Sequence, residues 1–339
     1  MNKIKWGIIG SCGIAEKRTI PGLLMAENAQ CVAVMDINEE GVRAVAEKFG
    51  ISRTYTDIDE LLAQKDIDAV YIATPVFCHK EQVFKAADAG KHILLEKPMG
   101  ITSNEAQEIA DYCNEKGVKL GVGFMMRFHD AHERIKKIIE KGEIGEIVSA
   151  YAKFNCWSPA SPVKWRQTKA YSGGGTMMDM GIHCIDLLQY LTGLKAVQIT
   201  GLYGNQIHKY PDTEDGCSAV LKMDNGSLFA VEANFNIPDV IGGCRFEIYG
   251  TTGIISAEGT IGQTEKGTVN VTVMSADGSV SKSNLEYVSG NMYTKETERF
   301  SQAILDDSKV PVTAEEGIFN QKVVEAVYES QETNRIIEV

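Results

Sequence analysis

Between Lys3 and Phe124 six short apolar runs alternate with stretches of helical character, and no other feature of the chain restricts its fold so tightly. The runs are KIKWGIIG, QCVAVMD, RTYT, DAVYIAT, HILLE and KLGVGF. Most are continuous in β-branched residues and leucine, the pattern of strands buried on both faces of a sheet. The stretches between them carry helix punctuation. Asn38 precedes Glu39 and Glu40, with Gly50 at the far end; Thr102 stands before Glu105, with Gly117 at the far end. These are N-cap and C′ signals. Asp57 and Glu60 fit a variant capping box, and the helical stretch after the first run is interrupted at Pro21. Alternation of this kind, with right-handed crossovers, predicts a doubly wound parallel α/β sheet.

The first turn reads Gly10-Ser11-Cys12-Gly13-Ile14-Ala15, directly after the first strand and at the opening of a helix. A G-x-G-x-x-G/A sequence in that place receives the pyrophosphate of a dinucleotide. Gly10 and Ala15 fit the first and last small positions. Cys12 stands where the second glycine is usual, with Gly13 as a flexible neighbour. Cys12 reads as an inert small residue rather than a modifiable thiol. Asp36 closes the second strand at the distance expected of the carboxylate that holds ribose hydroxyls. A carboxylate repels a 2′-phosphate and Ile37 supplies no positive charge, so NAD is expected over NADP. The alternative is a flavodoxin-like sheet whose turn holds no cofactor. Residues 1–124 are expected to be an NAD-binding Rossmann domain.

Past Phe124 the pattern changes. MMRFHDAHERIKKIIEKGEIG reads as one helix and IVSAYAKFN as a long alternating strand. Asn225-Gly226 between alternating runs is a strong hairpin signal. CRFEIYG and IISAEG form a second hairpin pattern, and VNVTVM a further strand. Two helices close the chain, one near Tyr293–Leu305 and one from Thr313, where Glu316 completes a capping box. Residues 125–339 are expected to form an α+β domain with an open, mostly antiparallel sheet, whose C-terminal helices can pack back on the first domain.

Two stretches carry candidate chemistry. In SGGGTMMDMGIHCIDLLQYLTG (Ser172–Gly193), three glycines precede a helix and are expected to leave backbone N–H groups open toward a ligand. Asp179 and His183 fall on one helix face, with Asp186 on the same side. Their neighbours Met177, Met178, Met180, Ile182 and Ile185 are apolar, so the helix is expected to be buried, where Asp and His are costly unless paired. Three readings stand: a solvated pair, a metal site completed by Asp186, and an acid–base pair in which the carboxylate sets the imidazole tautomer. No further His or Glu of ligand spacing lies nearby, and no metal is expected. The other stretch is HILLEKPMG, where Lys97 follows a central strand. Open α/β sheets bind ligands at that end; the plain alternative is an exposed Glu–Lys turn.

The formal net charge of −12 disfavours a phosphate backbone, so no nucleic-acid partner is expected. The eight cysteines are scattered without a C-x-x-C pair, as in reduced cytoplasmic proteins. No uncharged run approaches the ~18 residues of a membrane span. The first strand is expected to begin by Lys3, and no signal peptide is expected before it. A cytoplasmic chain with no membrane segment is expected.

Gly10-x-Cys12-x-x-Ala15, Ala73-Thr74-Pro75, His79, Ala89-Gly90-Lys91-His92, Glu96-Lys97-Pro98, Arg127-Phe128, Trp165-Arg166 and Gly173-Gly174-Gly175-x-x-x-Asp179-x-Gly181-x-His183 together resemble the glucose–fructose oxidoreductase / inositol dehydrogenase / rhizopine-catabolism (Gfo/Idh/MocA) family. The resemblance runs over essentially the whole chain. It implies NAD(P)-linked oxidation or reduction of a sugar, glycoside or cyclitol, with Lys97, Asp179 and His183 as the catalytic set. His183 would take the hydroxyl proton, Lys97 hold that oxygen, and Asp179 place the substrate and tune His183. The cofactor residues it implies are Gly10, Ser11, Cys12, Gly13, Ile14, Ala15, Asp36, Ala73, Thr74, Pro75, His79, Glu96, Lys97, Arg127, Trp165 and Arg166. It also implies a cis bond before Pro98, and a homodimer or homotetramer built through the C-terminal sheet. Cys12 and Phe77-Cys78 depart from the family's usual residues. Two other activities occur among similar proteins. One is glycoside cleavage by oxidation, elimination and re-reduction on bound NAD, for which His129 and Tyr171 are candidate extra bases. The other is non-catalytic NAD(P) sensing, which the presence of all three catalytic residues disfavours. Loops Asn155–Thr168 and Gln206–Cys217 are expected to set specificity.

Overall fold

The apolar runs of the N-terminal third become strands of one parallel sheet in the computed structural model, which describes residues 3–161, 163 and 165–339. β1 (Ile4–Ile9), α1 (Ile20–Met25), β2 (Ala29–Met35), α2 (Glu39–Phe49), β3 (Arg53–Tyr55), α3 (Ile58–Leu62), β4 (Ala69–Ile72), α4 (His79–Asp88), β5 (His92–Glu96), α5 (Ser103–Lys116) and β6 (Leu120–Gly123) follow in order. The six strands pair in the order β3-β2-β1-β4-β5-β6, all parallel. That order reverses direction between β1 and β4, and dinucleotides bind beyond the strand ends at such a switch point. All four residues of β4 are buried, as a strand covered on both faces requires.

Local caps form much as the sequence implies. Asn38 Oδ1 accepts from Gly41 N–H (3.1 Å) and Thr102 Oγ1 from Glu105 N–H (3.2 Å). The Glu105 carboxylate takes Ile101 N–H (2.6 Å) in place of Thr102 N–H. Asp57 caps α3 by accepting from Asp59 N–H (2.7 Å). Pro21 does not interrupt the first helix. It lies in the opening turn of α1, where a missing N–H costs nothing.

The rest of the chain supplies α6 (Asp130–Glu140), β7 (Ile147–Asn155), α7 (Lys169–Ser172), α8 (Ile182–Thr192), β8 (Ala196–Gly204), β9 (Gly216–Met223), β10 (Leu228–Asn234), β11 (Arg245–Gly250), β12 (Gly253–Glu258), β13 (Thr268–Met274), β14 (Val280–Asn284), α9 (Met292–Leu305), α10 (Ala314–Thr333) and β15 (Ile337–Glu338). The helix expected from Met125 is broken. A 3-10 turn covers Met125–Phe128, and His129 then caps α6 by accepting Ala131 N–H at Nδ1 (3.1 Å). The second sheet has nine strands in the order β14-β13-β12-β11-β7-β10-β9-β8-β15. Every neighbour pair is antiparallel except β7 with β10. The Asn225-Gly226 turn joins β9 to β10 with Gly226 at φ 88°. Along β9 buried and open residues alternate, so one face of this sheet is covered and the other carries exposed Leu202, Val220 and Leu228.

The chain divides into two compact units. One comprises Met1–Met125 with Asn291–Phe319, and the other Met126–Gly290 with Asn320–Val339. α9 therefore belongs with the parallel sheet. Its Phe300, fully buried, meets Trp6 at 5.5 Å between ring centroids, and Ser301 Oγ accepts from Trp6 Nε1 (3.1 Å). Gly121 on β6 makes room for that ring, since a Cβ there would lie 2.7 Å from it. No helix among the described residues is long and apolar enough to cross a membrane. Phe300→Ala is expected to lower unfolding free energy by about 3–5 kcal/mol, the usual cost of an emptied aromatic site. Urea denaturation checks this; a loss under about 1 kcal/mol would refute the packing role.

Candidate active site

In the first unit, Gly10 ends β1 at φ 83°, and its N–H donates to Met35 O (3.0 Å). A Cβ there would come within 2.9 Å of the backbone of Ala73 and Thr74, so the turn is closed to other residues. Ser11–Thr19 follows as a π-helical stretch broken by non-helical dihedrals at Cys12 and Gly13. Asp36 organises this turn. Its Oδ2 accepts Cys12 N–H and its Oδ1 accepts Asn38 N–H, both at 3.0 Å. The Cys12 side chain leans toward the start of α2, where a Cβ on Gly41 would lie 2.8 Å from its Sγ. Burial, then the Asp36 charge, pushes the Cys12 thiol up to about 11, so it stays protonated and unreactive. Gly13 is exposed, and a Cβ there would meet nothing within 4 Å. Ala15 is fully buried in the core beside β1. The loop thus fits a dinucleotide diphosphate: small at Gly10 and Ala15, open at Gly13, with the Cys12 side chain turned aside.

The ends of β4 and β5 are tied by one histidine. His79, 1% exposed, places Nε2 at 3.0 Å from Thr74 O and Nδ1 at 3.0 Å from Pro98 O. Burial pulls it down to about 4, against the pull of those carbonyls. Ala73 N–H donates to Ile9 O (2.9 Å) and Thr74 Oγ1 to Gln82 Oε1 (2.6 Å), which sets the Ala73-Thr74-Pro75 turn. The Lys97–Pro98 bond is cis. Lys97 is half-buried, and its N–H donates to Glu96 Oε2 (3.2 Å). Glu96 Oε1 accepts from Tyr71 Oη. Glu296 on α9 was not singled out by sequence. It is 1% exposed, and neither carboxyl oxygen has a hydrogen-bond partner among the described residues. Burial, then the Glu96 charge, holds it well above the usual carboxylate range, which keeps it protonated. Its signal in the sequence was a charged residue on the apolar face of α9, between Tyr293 and Phe300.

In the second unit, Met177–Gly181 forms a π-helical turn that leads into α8, where His183 is 5% exposed. Its ring lies 6.2 Å from that of Phe154. The Asp179 carboxylate, about one-third exposed, lies 3.7 Å from Arg166 Nε, and the Arg166 guanidinium stacks 4.1 Å from the Trp165 ring. The expected Trp165-Arg166 pair is therefore linked to Asp179.

One alternative and one expectation meet different surroundings here. Asp186, named in the metal alternative, is engaged in an interior ion pair. It accepts both Arg127 Nε (3.0 and 3.1 Å) and Nη2 (2.6 Å), together with Asn320 Nδ2 (2.7 Å). The Arg127 guanidinium, expected on the cofactor side, is committed to this interior ion pair, because a buried carboxylate needs a matched cation. The expectation of open N–H groups at the glycine run is corrected: Gly173 N–H donates to Lys169 O (2.8 Å). Gly175 and Met177 N–H both donate to the buried Glu214 (2.9 Å each), and Met178 N–H donates to Tyr328 Oη (3.2 Å). Neither Glu214 nor Tyr328 had been marked by sequence reasoning. Loop Gln206–Cys217 is organised by Asp215, which accepts Gln206, Ile207 and His208 N–H. Pro162 and Lys164, in the other expected specificity loop, lie outside the described residues.

Residues 4–124 match the family described as "Oxidoreductase family, NAD-binding Rossmann fold", and residues 132–256 match the GFO/IDH/MocA C-terminal domain. The chain is 28% identical to 1,5-anhydro-D-fructose reductase of Ensifer adhaerens over 99% of this chain and 98% of that one. It is 29% identical to D-xylose 1-dehydrogenase (NADP(+)) 2 of Haloferax volcanii over 98% and 99%. The fold matches that of aldose-aldose oxidoreductase from Caulobacter crescentus with a TM-score of 0.91, at 22% identity and full coverage of both chains.

Breaking the interior ion pair from one side should be costly. Arg127→Met is expected to destabilise by about 3–5 kcal/mol, and adding Asp186→Leu to recover a large part of that loss. A double-mutant cycle in urea checks this; strictly additive losses would refute the pairing.

Proposed function

Because the chain belongs to the Gfo/Idh/MocA family of oxidoreductases with an NAD-binding Rossmann domain, we propose that it moves a hydride between a secondary alcohol carbon of a sugar, glycoside or cyclitol and a nicotinamide. The observation that carries this reading is His183, an almost buried imidazole that follows a partly open Asp179 across a π-helical turn. Both relatives named above are described by reactions on sugars.

The nicotinamide, when bound, supplies the hydride acceptor or donor. The chain supplies the rest. His183 takes the substrate hydroxyl proton, and burial of the imidazole limits competition from water. Lys97, at the carboxyl end of β5, donates hydrogen bonds to the same oxygen and stabilises the charge that grows on it. Asp179 orients the substrate and the imidazole, with the Arg166 guanidinium 3.7 Å from its carboxylate. The turn at Gly10–Ala15 holds the diphosphate, Asp36 the adenosine ribose, and Thr74, Pro75 and Glu96 the nicotinamide-ribose end; His79, expected there, is buried with both ring nitrogens on the Thr74 and Pro98 carbonyls and serves by fixing those two turns. Trp165 and Arg166 complete the proposed cofactor set. The exposed apolar face of the second sheet, with Leu202, Val220 and Leu228, supports a homo-oligomer. The elimination reading called on His129 as an extra base. That residue is 2% exposed and its Nδ1 accepts Ala131 N–H, so it is not available as a base; the other candidate, Tyr171, is half-exposed.

A panel of sugars and cyclitols with NAD should show growth of reduced-nicotinamide absorbance for at least one compound. On that compound Lys97→Ala should lower kcat by about 100-fold or more. Turnover that releases an aglycone without net NAD reduction would replace the dehydrogenase reading.

Cofactor choice follows from the end of β2. Asp36 and the 87% exposed Ile37 precede Glu39 and Glu40, and Arg43, the next cation along the chain, pairs with Glu39 at 2.5 Å. A 2′-phosphate would meet negative charge there. NAD is expected to bind at least about tenfold more tightly than NADP, a gap of about 1.4 kcal/mol. Asp36→Ser should narrow it. Calorimetric Kd values decide, and equal or tighter NADP binding would overturn the assignment.

A further inference from the structure

The first turn of the helix that carries Asp179 and His183 is gripped by two side chains from distant parts of the second unit. Glu214, just before β9, is 4% exposed. Its Oε2 accepts Gly175 N–H (2.9 Å), and its Oε1 accepts Met177 N–H (2.9 Å) and Tyr328 O–H (2.8 Å). Tyr328, on α10, accepts Met178 N–H in turn. These are the donors that a helix start leaves without intrahelical partners; the helical pattern begins with Asp179 N–H on Gly175 O (3.0 Å). The glycine run itself records the grip. A Cβ on Gly174 would lie 2.2 Å from Tyr328 Oη, and one on Gly175 2.2 Å from Glu214 O and 2.7 Å from its Oε2.

We propose that Glu214 and Tyr328 are positioning residues: together they set the height and rotation of the π-helical turn, and so the placement of Asp179 and His183. This rests on the roles given to Asp179 and His183 above. An ordinary surface cap would satisfy the same donors with a serine or a water. A carboxylate in the interior instead fixes them at three points, at the positive end of the helix. The other titratable groups that face Glu214 are Tyr328, Tyr203 on β8 and Cys217 on β9. All three stay neutral near pH 7, because burial raises each of them. Glutamine is the informative replacement. It has one acceptor oxygen, so either Gly175 or Met177 N–H is left facing an amide N–H₂.

The test uses Glu214→Gln, Glu214→Asp and Tyr328→Phe in the full chain. The imidazole titration of His183 is followed by NMR with labelled histidine and assigned from the resonance lost in His183→Asn. Rates are measured on a sugar that reduces NAD. Glu214→Gln should lower kcat by about 10- to 100-fold with KM changed less than about threefold, the scale of a small misplacement of reacting groups. It should also shift the His183 titration midpoint by about half a pH unit or more. Tyr328→Phe should change both in the same sense by less, and Glu214→Asp should restore part of the rate. A folded Glu214→Gln protein with wild-type kcat and His183 midpoint overturns the proposal. If that variant does not fold, the same two measurements on Tyr328→Phe decide. Should no sugar support turnover, the dehydrogenase reading fails, and the His183 midpoint still tests the positioning.

Discussion

The carboxylate of Glu214 is almost wholly withdrawn from water, and the donors it finds in the protein are Gly175, Met177 and Tyr328. A related demand shapes two other acidic groups, the partly buried Asp36 and the buried Asp186. Asp36 closes the nucleotide turn onto Cys12 and Asn38. Asp186 draws in Arg127 and Asn320. An ionised group withdrawn from solvent is expensive unless every lone pair is met, so each one dictates where its neighbours lie. Glu296 takes the other route. It has no partner among the described residues and remains protonated beside Glu96.

The departure at Cys12 loses its difficulty once the turn is seen in three dimensions. The second small position of a nucleotide loop matters because a side chain there can block the backbone from the phosphates. Here the thiol turns toward the start of α2, and the open side of the loop lies at Gly13. Gly10 remains indispensable, since it combines a positive φ with backbone on the side where a Cβ would sit.

What could be read in advance was local. The parallel sheet followed from continuous apolar runs, and the hairpin from Asn225-Gly226. The capping box at Thr313 and Glu316 followed from four consecutive residues, and both of its bonds form, at 2.9 and 3.4 Å. The alternation along β9 likewise named its buried face. The helix that was drawn too long, from Met125, failed for a local reason that composition hides: histidine acts as an N-cap at position 129. The surroundings of Asp186 are non-local. Helical spacing put it on the side of Asp179 and His183, but its partners are Arg127 and Asn320, which supply what a buried carboxylate needs.

By itself the sequence determined the elements and the chemical types at their ends: a glycine turn after β1, a lysine after β5, an Asp–His pair at a helix start. Those depend on dihedral preferences and periodicities that act over a few residues. Only the tertiary structure decided how each polar group is used. The three glycines before Asp179 looked like an opening for a ligand, and two of them, Gly174 and Gly175, prove to be clearance for Tyr328 and Glu214, which arrive from elsewhere in the chain. Hydrogen-bond partners in an interior are chosen by proximity after packing, and proximity of that kind leaves no periodic trace in a sequence.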